Sequence, residues 1–339
     1  MKLASRVLVT DKIMNEKIKY FISITLIILI LVFLWLNSSI NKGKQIILEI
    51  KQGWSFHKVA ELLSDNEIIR SKKFFIFLTK ISGKSKKLKA GTYKISDKQT
   101  VIQIIKTLTK GKIANKIFTI PEGYNMFQIA EILEEKRIVS RNEFLKICKN
   151  KAILKKFNIK AETAEGFLFP DTYYVPYNIS AKTLVEIILK NFFKRVDKLY
   201  FARMKEMKYT LEEMVTLASL VEWEAQMDFE RPIIAAVFLN RLKKNLNLAS
   251  CATVLYALGK HKRRLLFKDL KKDSPYNTYL YKGLPPTPIC NPGLNSILAV
   301  LFPAKVDYLY FVSKRNGRHY FSKTYKEHLK AYKYYILTD

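Results

Sequence analysis

The chain has 339 residues, with 60 Lys and Arg against 29 Asp and Glu, and a formal net charge of +31. Its 49% hydrophobic and 13% aromatic content excludes a disordered chain, and 11 Gly and 10 Pro exclude a collagen-like or linker-dominated one. Three Cys without a CxxC pair exclude a disulfide-stapled scaffold, and four scattered His (His57, His261, His319, His328) argue against a metal site, so no metal and no cofactor is expected.

The basic excess consists of 48 Lys and 12 Arg. Nucleic-acid readers lean on the planar Arg fork, so a Lys-dominated excess reads first as solvated lysine faces and second as a site for a polyanion. Tyr20 to Leu36 (YFISITLIILILVFLWL) is 17 residues without a charge. At about 1.5 Å per residue it spans roughly 26 Å, close to a hydrocarbon core of about 30 Å. Lys2, Arg6, Lys12, Lys17 and Lys19 precede it, against Asp11 and Glu16. The basic flank predicts a cytoplasmic tail over 1–19, a transmembrane helix over 20–36 and everything after it outside the cytoplasm. The run is longer than a signal-peptide core and ends LWLNSSIN without an A-x-A site, so a retained anchor is expected. An extracytoplasmic chain makes nucleic acid an unlikely partner and cell-wall polymer a natural one.

A polar linker, Asn37 to Lys44, leads into a sequence that repeats once. Ile47 to Phe74 and Ile117 to Phe144 align at an ungapped offset of 70, matching Ile50/Ile120, Gly53/Gly123, Ala60/Ala130, Glu61/Glu131, Leu63/Leu133, Ile68/Ile138 and Phe74/Phe144. Each copy predicts a strand, a glycine turn, an amphipathic helix and the start of a second helix. This strand–turn–helix unit resembles the LysM-type carbohydrate-binding module; a duplicated packing unit without a ligand is the alternative. Between the copies, KAGTYKIS (Lys89 to Ser96) predicts a strand and Thr100 to Thr109 a closing helix.

From Ala164 the pattern changes. Glu165 to Pro176 (EGFLFPDTYYVP) is followed by a helix near Ala181 to Lys198, and then by a helical stretch from Thr210 to Leu242, broken near Met227–Pro232. Ser274 to Gly293 (SPYNTYLYKGLPPTPICNPG) is loop-like, and Tyr308–Ser313 and His319–Ser322 predict a hairpin turning at Asn316-Gly317. Helices and strands mix without βαβ alternation, so the expected class is α+β: one N-terminal transmembrane helix, a LysM-like α/β module over 45–113 and a second, mixed α+β domain over 114–339.

GxGxxG, GxxxxGK[ST], GxSxG and HExxH are all absent. Carboxylates beside aromatic and amide side chains remain. In LEEMVTLASLVEWEAQ, Met214, Leu217, Ala218, Val221 and Ala225 line one face of a helix. Glu222 and Glu224 flank that stripe about 160–200° apart, so they cannot act as a close pair; one can enter a cleft while the other forms an ion pair or meets solvent. On pattern alone the two are equally placed, and a carboxyl at the margin of an apolar face has the raised pKa a general acid needs.

KAGTY (Lys89 to Tyr93), PEGY (Pro121 to Tyr124), EGFLFPDTY (Glu165 to Tyr173), LASLVEWEA (Leu217 to Ala225), ERPIIAAVFLNRL (Glu230 to Leu242), ATVLYALG (Ala252 to Gly259), SPYNTYLYKGLPPTPICNPG and PAKVDYLYFVS (Pro303 to Ser313), in this order and spacing, resemble the endolytic murein transglycosylase (YceG-like) family. The resemblance runs through most of the chain. It implies cleavage of the MurNAc–GlcNAc bond inside nascent peptidoglycan strands, giving 1,6-anhydro-MurNAc ends and terminating strand elongation. Peptidoglycan strands, the membrane and peptidoglycan synthases are the implied partners, and the cytoplasmic membrane the implied location. It assigns the catalytic acid to Glu224, with Glu222 the close alternative. It also implies substrate roles for Asn277 and Tyr279, which would hold the N-acetyl group or stabilise the charged intermediate. Tyr276, with Tyr173 and Trp223, is a candidate to stack on sugar; Glu165 and Asp171 either line the cleft or cap the turn; Asn240 and Arg241 complete the set, with Arg241 expected to brace a carboxylate. Where some family members carry Asp-Pro before Thr-Val, this chain has Cys251-Ala252, so no polar role is carried to that position. A non-catalytic wall-binding membrane protein is the alternative function.

Overall fold

The computed structural model describes residues 2–111, 115–196, 198–259 and 265–337. The expected domain boundary at 113/114, His261 and the C-terminal Asp339 lie outside the described residues. The chain forms two compact units, Met1–Asn115 and Lys116–Asp339.

The first unit opens with α1 (Lys2–Asn37). Its Glu16–Asn37 stretch is long and apolar enough to cross a membrane, and the apolar window in it has no buried residue. Then follow β1 (Gln45–Ile50), α2 (Phe56–Asp65), α3 (Lys72–Ile81), β2 (Gly91–Ser96) and α4 (Val101–Lys110). β1 pairs antiparallel with β2 from Gln45↔Ser96 to Ile50↔Gly91. Val59, Leu63, Phe75, Tyr93, Ile95, Ile104 and Leu108 close over this ribbon as one core. Thr100 and Gln103 form a reciprocal capping box that starts α4, and Gly111 ends it in the left-handed region (φ 74°).

The second unit repeats the pattern with β3 (Asn115–Thr119), α5 (Met126–Glu135) and α6 (Arg141–Cys148), inserts α7 (Lys151–Lys156), and closes with β4 (Thr172–Pro176) beside β3. α2 and α5 coincide residue for residue at the 70-residue offset. Gly53 (φ 86°) and Gly123 (φ 76°) make the same left-handed turn. The rest is helical: α8 (Ala181–Arg195), α9 (Lys198–Met207), α10 (Leu211–Glu224), α11 (Arg231–Lys243), α12 (Cys251–Leu258), α13 (Phe267–Leu270) and α14 (Leu294–Leu301), then β5 (Tyr310–Ser313), β6 (His319–Ser322) and α15 (Tyr325–Tyr332). The fold is thus mixed α+β, with three two-stranded sheets among the described residues.

The hairpin forms where expected, with Ser313 opposite His319 across the loop 314–318 that contains Asn316-Gly317, and Lys314 N donates to Arg318 O (2.8 Å). Arg315 and Gly317 take left-handed conformations there. One local expectation changes: α10 has no single apolar stripe, since all eight residues from Met214 to Val221 are buried. It is the central helix, packed on α11, α12 and α14.

A buried polar knot joins the second repeat copy to these helices. Glu165, with no exposed surface, accepts from Met126 N at the start of α5 (3.0 Å), from Asn291 Nδ2 (2.9 Å) and from Tyr256 OH (3.3 Å). Asn291 also binds Tyr124 O (2.8 Å) and accepts from Leu168 N (2.8 Å). Next to it Gly166 is left-handed (φ 88°), and a Cβ there would stand 2.5 Å from Pro288 Cγ and 2.7 Å from Val215 Cγ1.

Gly166→Ala combines an unfavourable backbone region with overpacking and should destabilise the second unit by about 3 kcal/mol, read as a drop in its thermal midpoint. A pH effect follows from Glu165, whose carboxyl is pushed from 4.5 to about 8 by burial, against the pull of its donors. The folded form keeps a proton that the unfolded chain releases, so stability present in acid is lost as pH climbs from 4.5 towards about 8. Denaturation midpoints measured across this window should fall, and Glu165→Gln should flatten the decline.

Candidate active site

The site is built on the end of α10. Thr210 and Glu213 form a capping box at its start. Ser219 and Thr216 are buried within it without loss of hydrogen bonding, since Ser219 Oγ donates to Thr216 O (2.7 Å) and accepts from Ile289 N (3.1 Å). At Ala225 the backbone turns extended (φ −82°, ψ 121°), so Glu222, Trp223 and Glu224 form the last turn.

Glu222 is held. Its Oε1 meets Arg231 Nη1 at 3.1 Å, with the two side chains 5% and 9% exposed, and its Oε2 accepts from Gly293 N (2.9 Å) at the start of α14. Arg231 also donates to Asp228 Oδ1 (2.8 Å) and to Ser296 Oγ. Glu122 of PEGY lies over Gly293: a Cβ at that position would displace it, falling 1.9 Å from its Oε1. Burial and the nearby Glu222 charge push the Glu122 carboxyl up.

Glu224 has different company. Ser250 Oγ donates to its Oε1 at 2.5 Å, which leaves Ser250, the residue before α12, without a capping bond to that helix. Burial raises the Glu224 carboxyl above the usual range, while the Ser250 hydrogen bond and the charge of His319 pull it down. Cys251 and Tyr279 feel the Glu224 charge, and their Sγ and OH lie 3.0 Å apart. His319 on β6 is anchored twice to Glu230, through Nδ1 to Oε2 (2.8 Å) and through its backbone N to Oε1 (3.0 Å). The groups that shift Glu224 are thus a hydroxyl, Ser250, and an imidazole, His319. Ser250, Glu230 and His319 were not singled out from sequence as site residues. The one available signal was a lone His on an aromatic strand after the ERP segment.

The other expected residues divide. Tyr279 reaches the Glu224 cluster, on a loop that Asn277 organises: Asn277 is fully buried, donates to Leu270 O and Lys272 O (both 2.8 Å) and accepts from Tyr279 N (3.0 Å). A contact of Asn277 with sugar is thereby corrected to support of the loop. Tyr276 bonds Thr287 (2.7 Å) and packs on the Tyr256 ring. Glu165 does not line a cleft, because it is sealed in the knot described above. Asp171 accepts from Asn191 (3.0 Å) and Arg195 (2.8 Å) on α8. Asn240 donates to Val306 O (2.9 Å) and Tyr308 O (3.0 Å). Arg241 braces no carboxylate; it holds the carbonyls of Asn247 (2.8 Å) and Leu309 (3.1 Å) and lies over the Tyr310 ring. Tyr173 is 5% exposed and bonded to Phe169 O, so it stacks on Phe118 rather than on sugar. Trp223 is half-buried and lines a cavity of about 360 Å³ with Phe127, Gln128, Arg141, Leu255 and Tyr256. Among the described residues no cluster of His, Cys, Asp and Glu could hold a metal ion.

This arrangement has relatives. Residues 48–334 match the YceG-like family. The chain is 39% identical over 308 residues to a Bacillus subtilis protein named endolytic murein transglycosylase, covering 85% of this chain and 84% of that one. It is 29% identical to a Streptococcus pneumoniae protein of the same name, of which it spans 58%. A crystal structure of a yceG-like protein from Listeria monocytogenes superposes with a TM-score of 0.60 at 35% identity, covering 84% of this chain and 98% of that one. With a family match across most of its length and a relative of this identity, the chain belongs to the YceG-like family.

Proposed function

We propose that the chain is a membrane-anchored endolytic lytic transglycosylase of peptidoglycan, with Glu224 as its acid and base. The relatives named endolytic murein transglycosylase support the activity. The observation that carries the assignment is the carboxyl of raised proton affinity at the end of α10, held by the Ser250 hydroxyl where Glu222 is held by the Arg231 guanidinium. A retaining hydrolase needs a second carboxylate about 5 Å away and an inverting one a base roughly 6.5–9.5 Å away, whereas intramolecular ring closure needs neither.

Protonated Glu224 donates to the oxygen between MurNAc and GlcNAc, and the C1–O bond breaks through an oxocarbenium-like state. The Glu224 carboxylate then takes the proton from the muramic 6-hydroxyl as that oxygen bonds to C1. The product is a 1,6-anhydro end; no water is consumed and the acid is regenerated. Ser250 fixes the carboxyl, His319 favours its charged form when the imidazole is protonated, and Tyr279 faces the sugar. Glu222, committed to Arg231, holds the C-terminal turn of α10 against α14. The βααβ unit of residues 45–113 acts as a LysM-like glycan holder. The anchored enzyme cuts nascent strands and so ends their elongation, working beside peptidoglycan synthases.

Glu224→Gln removes the transferable proton and should lower anhydro-end formation, followed by mass spectrometry of digested glycan strands, by about 10²–10⁴-fold with an unchanged thermal midpoint. Glu222→Gln removes the buried one of the two carboxylates on Arg231, leaving only the exposed Asp228, and should instead cost about 3 kcal/mol of stability while the folded fraction still cleaves. The opposite pattern would transfer the role to Glu222. For topology, a reporter fused after the C-terminus should be active only outside the cytoplasm; cytoplasmic activity would overturn both the location and the substrate.

A further inference from the structure

The end of α1 measures how deep the first unit sits. Leu36 closes the apolar run, and Phe33, three residues earlier, lies about 4–5 Å further along the axis towards the hydrocarbon. Yet Phe33 is not clear of the folded unit: its ring meets Phe74 of α3 edge-on, with centroids 5.5 Å apart. The Arg70 guanidinium lies over Trp35 at 5.5 Å and donates to Ser38 O (2.8 Å). On the other side, Ile102 N in the first turn of α4 donates to Asn37 Oδ1 (3.1 Å).

The linker between them has no slack. Ile40 N and Asn41 N bind Asp97 O (2.8 and 3.2 Å), and Lys42 N and Lys44 N bind Asp97 Oδ2 (2.7 and 3.1 Å). The polar linker is a clamped corner. A unit clamped to residues inside an apolar span must itself enter the membrane boundary.

The surface there suits that position. Phe77 (53% exposed) and Ile81 (69%) continue the Phe74 stripe of α3 at i+3 and i+7, and Ile102 (44%) stands at the Asn37 contact. Exposed Lys73 and Lys80 flank them. An apolar edge rimmed by lysines beside an anchor matches an interface of acyl chains and anionic headgroups.

We propose that the first unit is a membrane-seated module: α3 and the start of α4 rest in the leaflet that α1 leaves, with Phe77, Ile81 and Ile102 among the headgroups and Lys73 and Lys80 on lipid phosphates. This rests on α1 being a membrane anchor, but not on the chemistry assigned to Glu224. The seat fixes the height of the module above the lipid instead of leaving it to a linker.

The test uses the full chain in nanodiscs of anionic phospholipid, with exposed Cys251 replaced by Ser and an environment-sensitive fluorophore on one introduced Cys. Phe77→Cys and Ile81→Cys should show blue-shifted emission that falls by roughly half with shallow doxyl-labelled lipid. Lys51→Cys, at the far end of β1 and so roughly 17–20 Å from the anchor junction, should be unaffected. Leu29→Cys in the span should be quenched by deep doxyl groups. Quenching at 29 without quenching at 77 and 81 would overturn the seat while leaving the anchor; no quenching at 29 would overturn the anchor on which it depends. Neither outcome touches the Glu224 variants.

Discussion

A carboxyl with no access to water, Glu165, stands at the N-terminus of α5, and the second unit is organised around it. Burying such a group is costly unless donors surround it, and here a helix-start N–H, an Asn amide and a Tyr hydroxyl converge on its two oxygens. Those donors come from three distant stretches: the turn of the second repeat copy, the NPG loop and α12. Satisfying one side chain therefore fixes where α12 and the segment before α14 run relative to α5. Ser250, at the head of α12, and Gly293, at the head of α14, are the two points that hold Glu224 and Glu222.

The two glutamates of the E-x-E stretch illustrate how environment, not residue type, divides roles. Both lie on the last turn of a buried helix. Glu222 meets a guanidinium that is itself nearly sealed, and its second oxygen is taken by Gly293 N, so both of its oxygens are committed to structure. Glu224 meets a hydroxyl, and burial raises its affinity for a proton while the Ser250 hydrogen bond pulls it back. His319, held by Glu230, adds to that pull when its imidazole is protonated. A group with both tendencies can serve as acid in one half of a reaction and as base in the other.

The duplication shows the same logic at a larger scale. Copies 70 residues apart keep their strand, glycine turn and helix register, since these depend on local chemistry. Their uses diverge with what covers them. The first copy closes on its own small core and is clamped to α1 by Asp97 and Arg70. The second is absorbed into a core shared with α8, α10, α11 and α14, and its helix start receives Glu165.

Much of this was legible in the residues alone. Apolar continuity announced α1; the 70-residue repeat announced β1–α2 and β3–α5; apolar spacing, glycines and the aromatic strands announced the helices and the hairpin, because each depends on neighbours a few positions away. The E-x-E stretch was visible too, but a helical wheel left its two members equivalent. Only the folded chain separates them, since Arg231, Gly293, Ser250 and His319 arrive from elsewhere in the sequence. The same holds for Asn277, Asn240 and Arg241: their residue types suit a sugar site, but long-range packing commits them to backbone carbonyls. Local pattern determined which elements form and which residue types are available for chemistry. Tertiary structure decided which carboxyl is paired with a guanidinium and which meets a hydroxyl and has its proton affinity raised by burial, because that depends on partners that no window of sequence contains.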